Sequence, residues 1–298
     1  MINTLQRNYF LVTPVKNEEK YLPGLIKSIE NQTIKPILWV IVDDNSSDRT
    51  PYIIKNAKEK NTFIQSILLE ESFRDRGTHL AKIIRIGFDF AYDYCNGLCF
   101  DYLGNIDADV VLEKTYFEKL IEKFEKFKDL GVASGAEWIM NGGKISYFNG
   151  LNPAGGDVLY RKKCYEDCGG IPISELWDSV MNTKAILRGW NIKRFDDSKA
   201  YIMRGYCDVD GMWIGYKKFG ESDYIVNYNS LYALAKGVKL LFKKPFYIGF
   251  AFLYGYFGGM IYQKKQINDD EIKNYYNNER PKELKRYYIN KLRKMLHF

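Results

Sequence analysis

Short apolar segments alternate with longer amphipathic segments between Asn8 and about Asp129, and this alternation limits the fold more than any other feature. The short segments are β-branched or aromatic and are bounded by polar residues, as buried strands are. The longer segments carry apolar residues at three- and four-residue steps, as helices with one buried face do. The predicted strands are Tyr9–Val15, Ile37–Val42, Phe63–Leu69 and Cys99–Ile106, and the predicted helices are Glu19–Asn31, Arg49–Lys60, Thr78–Tyr94 and Glu113–Lys128. This order predicts an α/β, Rossmann-like fold whose mostly parallel sheet has helices on both faces.

The following segment is less regular. Residues 141–156 are rich in Gly and Asn, which predicts a loop that lines a site, and a strand follows Asp157. Beyond that strand we expect two helices and then two short strands, which are Arg161–Asp167, Leu176–Arg188, Asn191–Phe195 and Ala200–Arg204.

Three of the predicted strands run into polar, acidic sequences. These are Thr13-Pro14-Val15-Lys16-Asn17-Glu18, Val42-Asp43-Asp44-Asn45-Ser46-Ser47-Asp48-Arg49-Thr50 and Asn105-Ile106-Asp107-Ala108-Asp109. Ligands of such sheets bind beyond the carboxyl ends of the strands. The carboxylates of Asp107 and Asp109 repel each other, and an oxygen-bound Mg²⁺ or Mn²⁺ ion would relieve the repulsion. The alternative is that these acids are solvated turn residues, with Ser46, Ser47 or Asp48 capping the next helix.

In this order and spacing the three motifs resemble those of glycosyltransferase family 2, of GT-A fold, from about Tyr9 to Arg204. The resemblance implies an inverting enzyme that uses a UDP- or GDP-linked sugar donor and a metal ion. It places one group of residues around the nucleobase and ribose, namely Thr13, Pro14, Val15, Glu18, Asp43 and Asp44. Arg76 would approach the phosphates, Asp107 and Ala108 would contact the nucleotide, and Asp107 and Asp109 would hold Mn²⁺ or Mg²⁺.

The resemblance also implies a general base on the acceptor side, in an acidic pair that opens a helix after a Gly-Gly turn. Asp178 is the predicted base and Glu175 the second choice, while Trp177 could stack on a sugar face. Gly155 and Gly156 are predicted to shape the acceptor or sugar pocket. Asp178 could instead only complement the dipole of its helix. A polyprenyl phosphate acceptor, whose oxygen is already anionic, would require no base.

Some residues near the motifs could have structural roles in place of ligand binding. Arg76, like Arg74, could be a surface arginine paired with Asp75, and His79 is assigned to polar surface or core packing. The segment Tyr201–Arg204 contains no residue typical of a third metal ligand. Metal binding would therefore depend on Asp109, donor phosphates and water.

We divide the chain into a catalytic domain over residues 1–223 and a basic, aromatic helical tail over 224–298. The nucleotide-binding half of the domain ends at about residue 130, and the acceptor half covers about 131–223. The tail holds fourteen Lys and Arg against five Asp and Glu, which favours an anionic surface. An apolar stripe from Leu231 to Phe242 and the uncharged segment Pro245–Tyr262 predict a helical, membrane-associating tail through residues 231–262. Packing on the body, packing on a second subunit in a homo-oligomer, and a true membrane span stay open.

Composition excludes several protein classes. With 46% hydrophobic and 27% charged residues, the chain is neither disordered nor a polytopic membrane protein. The five cysteines are an odd number without zinc-ribbon spacing, and the first residues lack a signal-peptide core. We expect a cytoplasmic enzyme, peripheral on the inner face of the cell membrane, with a lipid-linked or surface-glycan acceptor and no nucleic-acid partner. A sugar-phosphate nucleotidylyltransferase is disfavoured because Thr13–Lys20 has no glycine, and a non-catalytic, membrane-attached nucleotide-sugar binder is the remaining alternative.

Overall fold

The computed structural model describes residues 7–70, 78–95, 99–141, 144–148, 150, 152–204 and 211–296. The chain forms two compact units, Met1–Gly205 and Tyr206–Phe298. The sequence placed the division after residue 223. The structure differs because Gly211–Ile225 is a helix that packs on Tyr247–Ile261 within the second unit.

The first unit is an α/β unit with one sheet, which confirms the predicted fold class. In the described part of the chain its strands are β1 (Tyr9–Val15), β2 (Leu38–Asp43), β3 (Ile64–Leu68), β4 (Tyr102–Ile106), β5 (Val110–Leu112), β6 (Leu130–Asn141), β7 (Lys144–Tyr147), β8 (Asp157–Arg161) and β9 (Asn191–Ile202). Its helices are α1 (Leu22–Glu30), α2 (Thr50–Lys60), α3 (His79–Tyr94), α4 (Tyr116–Lys126), α5 (Lys162–Asp167) and α6 (Trp177–Leu187).

The strands lie in the order β3-β2-β1-β4-β8-β6-β9-β5, and β7 pairs with β6. The first four strands in this order are parallel, with Val12 of β1 paired with Val40 of β2 and Asn105 of β4. The second half of the sheet is mixed, since β8 is antiparallel to β4 and β6 while β6 is parallel to β9. The parallel character predicted from the sequence therefore belongs mainly to the N-terminal half.

Successive side chains of the parallel strands point to opposite faces of the sheet and so contribute to two cores, one on each face. Tyr9 and Leu11 of β1 belong to the core that contains α1, α2 and α4, whereas Phe10 and Val12 belong to the core that contains α3, α5 and α6. All four of these side chains are fully buried. A strand that is apolar on both faces must be covered on both, and this fixes the helices on the two sides.

The segment expected to be a loop at 141–156 is different in the structure. Strand β6 continues to Asn141 and pairs with β7, so that Trp138 lies opposite Tyr147. Strand β9 replaces the two predicted strands at 191–195 and 200–204. Its pairing with β6 skips from Phe195 to Lys199, because the polar residues between them form a bulge.

The second unit is helical, as predicted for the tail. Its helices are α7 (Gly211–Ile225), α8 (Ser230–Leu241), α9 (Tyr247–Ile261), α10 (Asp270–Asn274) and α11 (Arg280–Leu296), with a π-helical turn at Tyr275–Glu279. Glycines allow α7 and α9 to approach closely, since a Cβ atom on Gly255 would lie 2.0 Å from the carbonyl oxygen of Lys217. A Cβ on Gly220 would similarly lie 1.9 Å from the carbonyl oxygen of Phe252.

Helix α9 has 15 residues, and within the described ranges no helix combines the length and apolar character that crossing a membrane requires. Several large apolar side chains in or directly after α8 and α9 are nevertheless exposed. Leu231 is 75% exposed, Phe242 82% and Ile261 75%.

Candidate functional site

A cleft of about 300 Å³ opens at the carboxyl ends of the parallel strands. It is bounded by residues that follow β1, β2 and β4, by the first residues of α3 and by the end of β9. The lining residues are Pro14, Val15, Lys16, Glu18, Asp44, His79, Leu80, Ile83, Asp107, Ala108, Asp109 and Arg204. Seven residues predicted from the sequence thus meet in one cavity, namely Pro14, Val15, Glu18, Asp44, Asp107, Ala108 and Asp109.

Two residues predicted beside them, Thr13 and Asp43, do not line this cleft. Thr13 is fully buried and its Oγ1 accepts a hydrogen bond of 2.9 Å from Nε1 of Trp39. The Oδ1 of Asp43 accepts from the backbone N–H of Ser46 at 3.0 Å, and Asp43 faces a separate cleft along α2 and β3. Both side chains hold the strand ends in place. Arg76, predicted to approach phosphates, lies outside the described residues.

The VDDNSSDRT motif also shapes the cleft by fixing the loop after β1. The side chains of Ser46, Asp48 and Thr50 accept hydrogen bonds from the backbone N–H groups of Asn17, Glu19 and Glu18, at 2.9, 3.1 and 2.8 Å. Hydrogen bonds between the two loops hold the β1 loop against the end of β2. Asp44 and Glu18 are therefore presented from a rigid frame.

Asp44 is nearly buried and is surrounded by basic groups. Its Oδ2 accepts from Nζ of Lys16 at 3.2 Å and lies 2.9 Å from Nε2 of His79. His79 is the residue that the sequence assigned to surface or core packing. It reaches the site because α3 begins at the mouth of the cleft, which the helical pattern alone could not reveal.

The carboxylates of Asp107, Asp109 and Glu18 form the acidic side of the cleft. Burial, and next the negative charge of Asp109, raise the pKa of Asp107 to about 7. Burial also raises the pKa of Asp109, and Arg204 opposes that shift. The Nη2 of Arg204 donates to both oxygens of Glu18 at 2.8 and 2.7 Å, and its Nε lies 3.7 Å from Oδ2 of Asp109.

The Gly155-Gly156 turn joins this acidic side to helix α6. Its two carbonyl oxygens accept hydrogen bonds from Nδ2 of Asn105 at 2.8 Å and from the backbone N–H of Asp107 at 2.9 Å. A Cβ on Gly155 would lie 2.9 Å from Cβ of Asp178, and a Cβ on Gly156 would lie 2.7 Å from Oδ2 of Asp107. Consecutive glycines therefore let the backbone pass between the predicted base and the predicted metal ligand.

Asp178 opens α6, and burial raises its pKa although the backbone N–H groups of Ser179 and Gly155 favour its charged form. Trp177 differs from its prediction, because it is only 6% exposed and packs in the core against Gly155. Its indole supports the turn and is not free to stack on a sugar. Glu175, the second choice for a base, is an exposed residue outside the cleft.

The donor set suits a divalent cation only in part. Asp107 and Asp109 offer carboxylate oxygens, the ligand type that Mg²⁺ and Mn²⁺ prefer. Burial, and next the charge of Asp109, raise the pKa of Asp107 to about 7, and a bound cation would favour its charged form. Among the described residues no group of three His, Cys, Asp or Glu could enclose a metal ion. Further oxygens from a bound phosphate ligand would complete such a site.

Residues 10–145 match the family model for glycosyl transferase family 2. Poly-beta-1,6-N-acetyl-D-glucosamine synthase of Staphylococcus epidermidis is 25% identical over 75% of this chain and 56% of its own. Glycosyltransferase GlyA of Streptococcus pneumoniae serotype 4 is 29% identical over 51% of this chain and 19% of its own. The chain thus spans little more than half of the first relative.

Two solved structures have the same fold at low sequence identity. The crystal structure of S. aureus TarS 1-349 in complex with UDP-GlcNAc aligns with a TM-score of 0.54 and 18% identity, covering 87% of this chain and 76% of that one. The mannosyltransferase PcManGT from Pyrobaculum calidifontis, in complex with GDP-Man and Mn²⁺, aligns with a TM-score of 0.51 and 16% identity, covering 83% and 69%.

Proposed function

The chain belongs to glycosyltransferase family 2, with a GT-A fold, and from this we propose that it transfers a sugar from a nucleotide-sugar donor to a glycan or lipid-linked acceptor with inversion. The observation that carries the proposal is the meeting of Asp44, Asp107 and Asp109 in one cleft at the carboxyl ends of parallel strands. Asp44 and the Asp107–Asp109 pair come from distant parts of the sequence, and turns or helix caps alone would not require them to share a cavity.

We assign the donor to the cleft with its nucleobase near Asp44 and its diphosphate near Asp107 and Asp109. UDP-GlcNAc is the first donor to test, because one relative is named for an N-acetylglucosamine polymer and TarS is solved with UDP-GlcNAc. GDP-mannose is the second, from the PcManGT complex. A Mn²⁺ or Mg²⁺ ion held by Asp107, Asp109 and the donor oxygens would stabilise the charge that grows on the leaving diphosphate.

Asp178 is the proposed general base. It would accept the proton of the acceptor hydroxyl while that oxygen bonds to the anomeric carbon and the bond from this carbon to the diphosphate breaks. Its position supports this role, since it packs on Gly155, and the next residue, Gly156, contacts Asp107. Its raised pKa also suits a group that must hold a proton after transfer.

We further propose that the second unit attaches the enzyme to the inner face of the cell membrane. Leu231 and Phe242 expose apolar side chains, and the same unit exposes Lys243, Lys244 and Lys265. Apolar insertion combined with attraction to anionic headgroups is how interfacial helices bind membranes. A lipid-linked acceptor would then be concentrated on the same surface.

The test is nucleotide release from UDP-GlcNAc and GDP-mannose with Mn²⁺, with a β-1,6-linked N-acetylglucosamine oligomer as acceptor. Wild type should release nucleotide in an acceptor-dependent way. Asp109→Asn should lower turnover about 10²-fold or more, and Asp178→Asn should do so while leaving donor affinity unchanged. Asp89→Asn, on the exposed face of α3, is the matched control and should behave as wild type.

Other outcomes separate the alternatives. Full activity of Asp178→Asn with a polyprenyl phosphate acceptor would identify a synthase that needs no base. Tight nucleotide-sugar binding without nucleotide release in any assay would identify a non-catalytic binder. Absence of binding to either nucleotide-sugar would contradict the proposed function.

A further inference from the structure

Arg204 stands at the position where the sequence offered no third metal ligand, and the structure gives it two acidic neighbours. Its Nη2 donates to both carboxylate oxygens of Glu18, and its Nε lies 3.7 Å from Oδ2 of Asp109. Its guanidinium carbon lies 5.0 Å from the ring centre of Tyr21. A basic side chain thus lies beside Asp109, the residue predicted to hold a metal ion.

The backbone fixes this placement. Ile202 of β9 pairs with Val110 of β5, and the backbone N–H of Met203 donates to the carbonyl oxygen of Asp109 at 2.8 Å. Arg204 follows directly, so its side chain starts beside Asp109. The position therefore follows from the sheet, and the side chain itself is one-third exposed.

The two interactions of Arg204 are unequal. The pair with Glu18 is a direct hydrogen bond to both oxygens, whereas the distance of 3.7 Å to Asp109 exceeds a hydrogen bond. Asp109 is thus close enough to be partly neutralised but not held. An arginine fork also matches the geometry of phosphate oxygens.

Resting on the function proposed above, we propose that Arg204 is a donor-responsive phosphate ligand that competes with a divalent cation for Asp109. In the donor-free protein its guanidinium neutralises Glu18 and Asp109. When a divalent cation binds Asp109 and the donor enters, the guanidinium turns from Asp109 to the donor diphosphate. Metal binding alone is then weak, and metal and nucleotide bind in concert.

The proposal predicts opposite changes in two affinities, which a purely structural salt bridge would not produce. Removing the guanidinium in Arg204→Gln should tighten binding of Mn²⁺ alone several-fold, because Asp109 loses its competitor. It should weaken binding of UDP or GDP in the presence of Mn²⁺ about 10-fold or more, because a charge-assisted phosphate contact is lost. Arg204→Lys keeps the charge without the fork and should fall between these values.

Mn²⁺ binding can be measured on the full chain by the electron paramagnetic resonance of the free ion, and nucleotide binding by calorimetry. Arg85→Gln removes an exposed arginine of α3 and should leave both affinities unchanged. Circular dichroism checks folding, and Arg204→Lys supplies the test if Arg204→Gln does not fold. Unchanged affinities in both variants, or two affinities that fall together, would overturn the proposal. Wild type that binds neither UDP nor GDP would instead sink the proposed function.

Discussion

Adding one methyl group at Gly155 should separate sugar transfer from donor binding. A Cβ at this position would lie 2.6 Å from Cζ2 of Trp177 and 2.9 Å from Cβ of Asp178. Ordinary carbon contacts are about 3.5–4.0 Å, so Trp177 and Asp178 must retreat by about 1 Å. Trp177 is buried in the core and cannot swing outward, so the start of α6 moves with it.

The expected size of the effect follows from that displacement. Moving a reacting group by about 1 Å costs roughly 10²-fold in rate, and overpacking costs about 1–3 kcal/mol of stability. Gly155→Ala should therefore lower the kcat for transfer about 10²-fold while the Kd for nucleotide with Mn²⁺ stays within about 2-fold. Neither Gly155 nor Gly156 has a positive φ, so steric contact and not backbone strain determines the outcome.

Gly156→Ala is the matched neighbour with a different expectation. Its Cβ would lie 2.7 Å from Oδ2 of Asp107, so nucleotide affinity in the presence of Mn²⁺ should fall with kcat. Gly24→Ala, whose Cβ would make an ordinary contact at 3.4 Å, controls for the substitution itself. Calorimetry with UDP or GDP and the nucleotide-release assay measure the two quantities. Wild-type transfer by Gly155→Ala, or equal loss of nucleotide affinity in both variants, would refute the arrangement described for this turn.

Three further predictions concern proton transfer, helix packing and the membrane. Because burial raises the pKa of Asp178, its basic form is lost at a higher pH than for an ordinary aspartate, so kcat should fall on acidification through a pKa above the ordinary aspartate value. A pH–rate profile measures this fall, and its persistence in the residual activity of Asp178→Asn would exclude Asp178 as its source. Gly255→Ala should destabilise the second unit by about 2 kcal/mol or more, because its Cβ would lie 2.0 Å from a carbonyl oxygen. Gly258→Ala, with open space around its Cβ, should instead stabilise α9 by up to about 1 kcal/mol. Equal urea midpoints for the two variants would contradict the packing of α7 on α9. Replacing both Leu231 and Phe242 by Gln should abolish flotation of the protein with vesicles that contain anionic lipid. Leu68 is 64% exposed in the first unit, and Leu68→Gln should leave flotation unchanged. Flotation of the double variant would argue against the proposed membrane face.

The periodicity of apolar residues along the chain predicted most of the strands and helices of the first unit. Strands apolar on both faces, such as β1, and helices with one apolar face, such as α4, are visible in the sequence because each side chain reports its own burial. The acids at strand ends were also predictable, because parallel strands must bring their carboxyl ends together. The cleft therefore contains most of the residues that the motifs suggested.

The remaining features depend on contacts between distant segments. His79 reaches Asp44 only through the packing of α3 on the sheet, and Arg204 reaches Glu18 only through the pairing of β9 with β5. The β6–β7 hairpin was missed because the glycines and asparagine near residue 142 resemble a loop as much as a hairpin turn. Trp177 was assigned to a sugar because the local sequence does not reveal that its indole packs in the core beside Gly155, a residue of another segment.

The energetics of the acidic side of the cleft connect the fold to the proposed chemistry. Raising a carboxyl pKa from 3.8 to about 7 corresponds to at most roughly 4 kcal/mol. The folded state binds more protons than the unfolded state between these values, so stability falls as pH rises through this window. Burial is the main cause of the shift at Asp107, the charges of Asp109, Glu137 and Asp178 add to it, and the hydrogen bond from Asn105 opposes it. Arg204 stabilises the charged form of Asp109. The charged form of Asp107 is favoured by the hydrogen bond from Asn105 but opposed more strongly by burial, so it stays unfavourable at neutral pH until a cation binds. An arrangement that costs stability without a ligand and recovers it with one belongs to a binding site, which is why ligand-induced stabilisation should be larger above pH 7 than at pH 5.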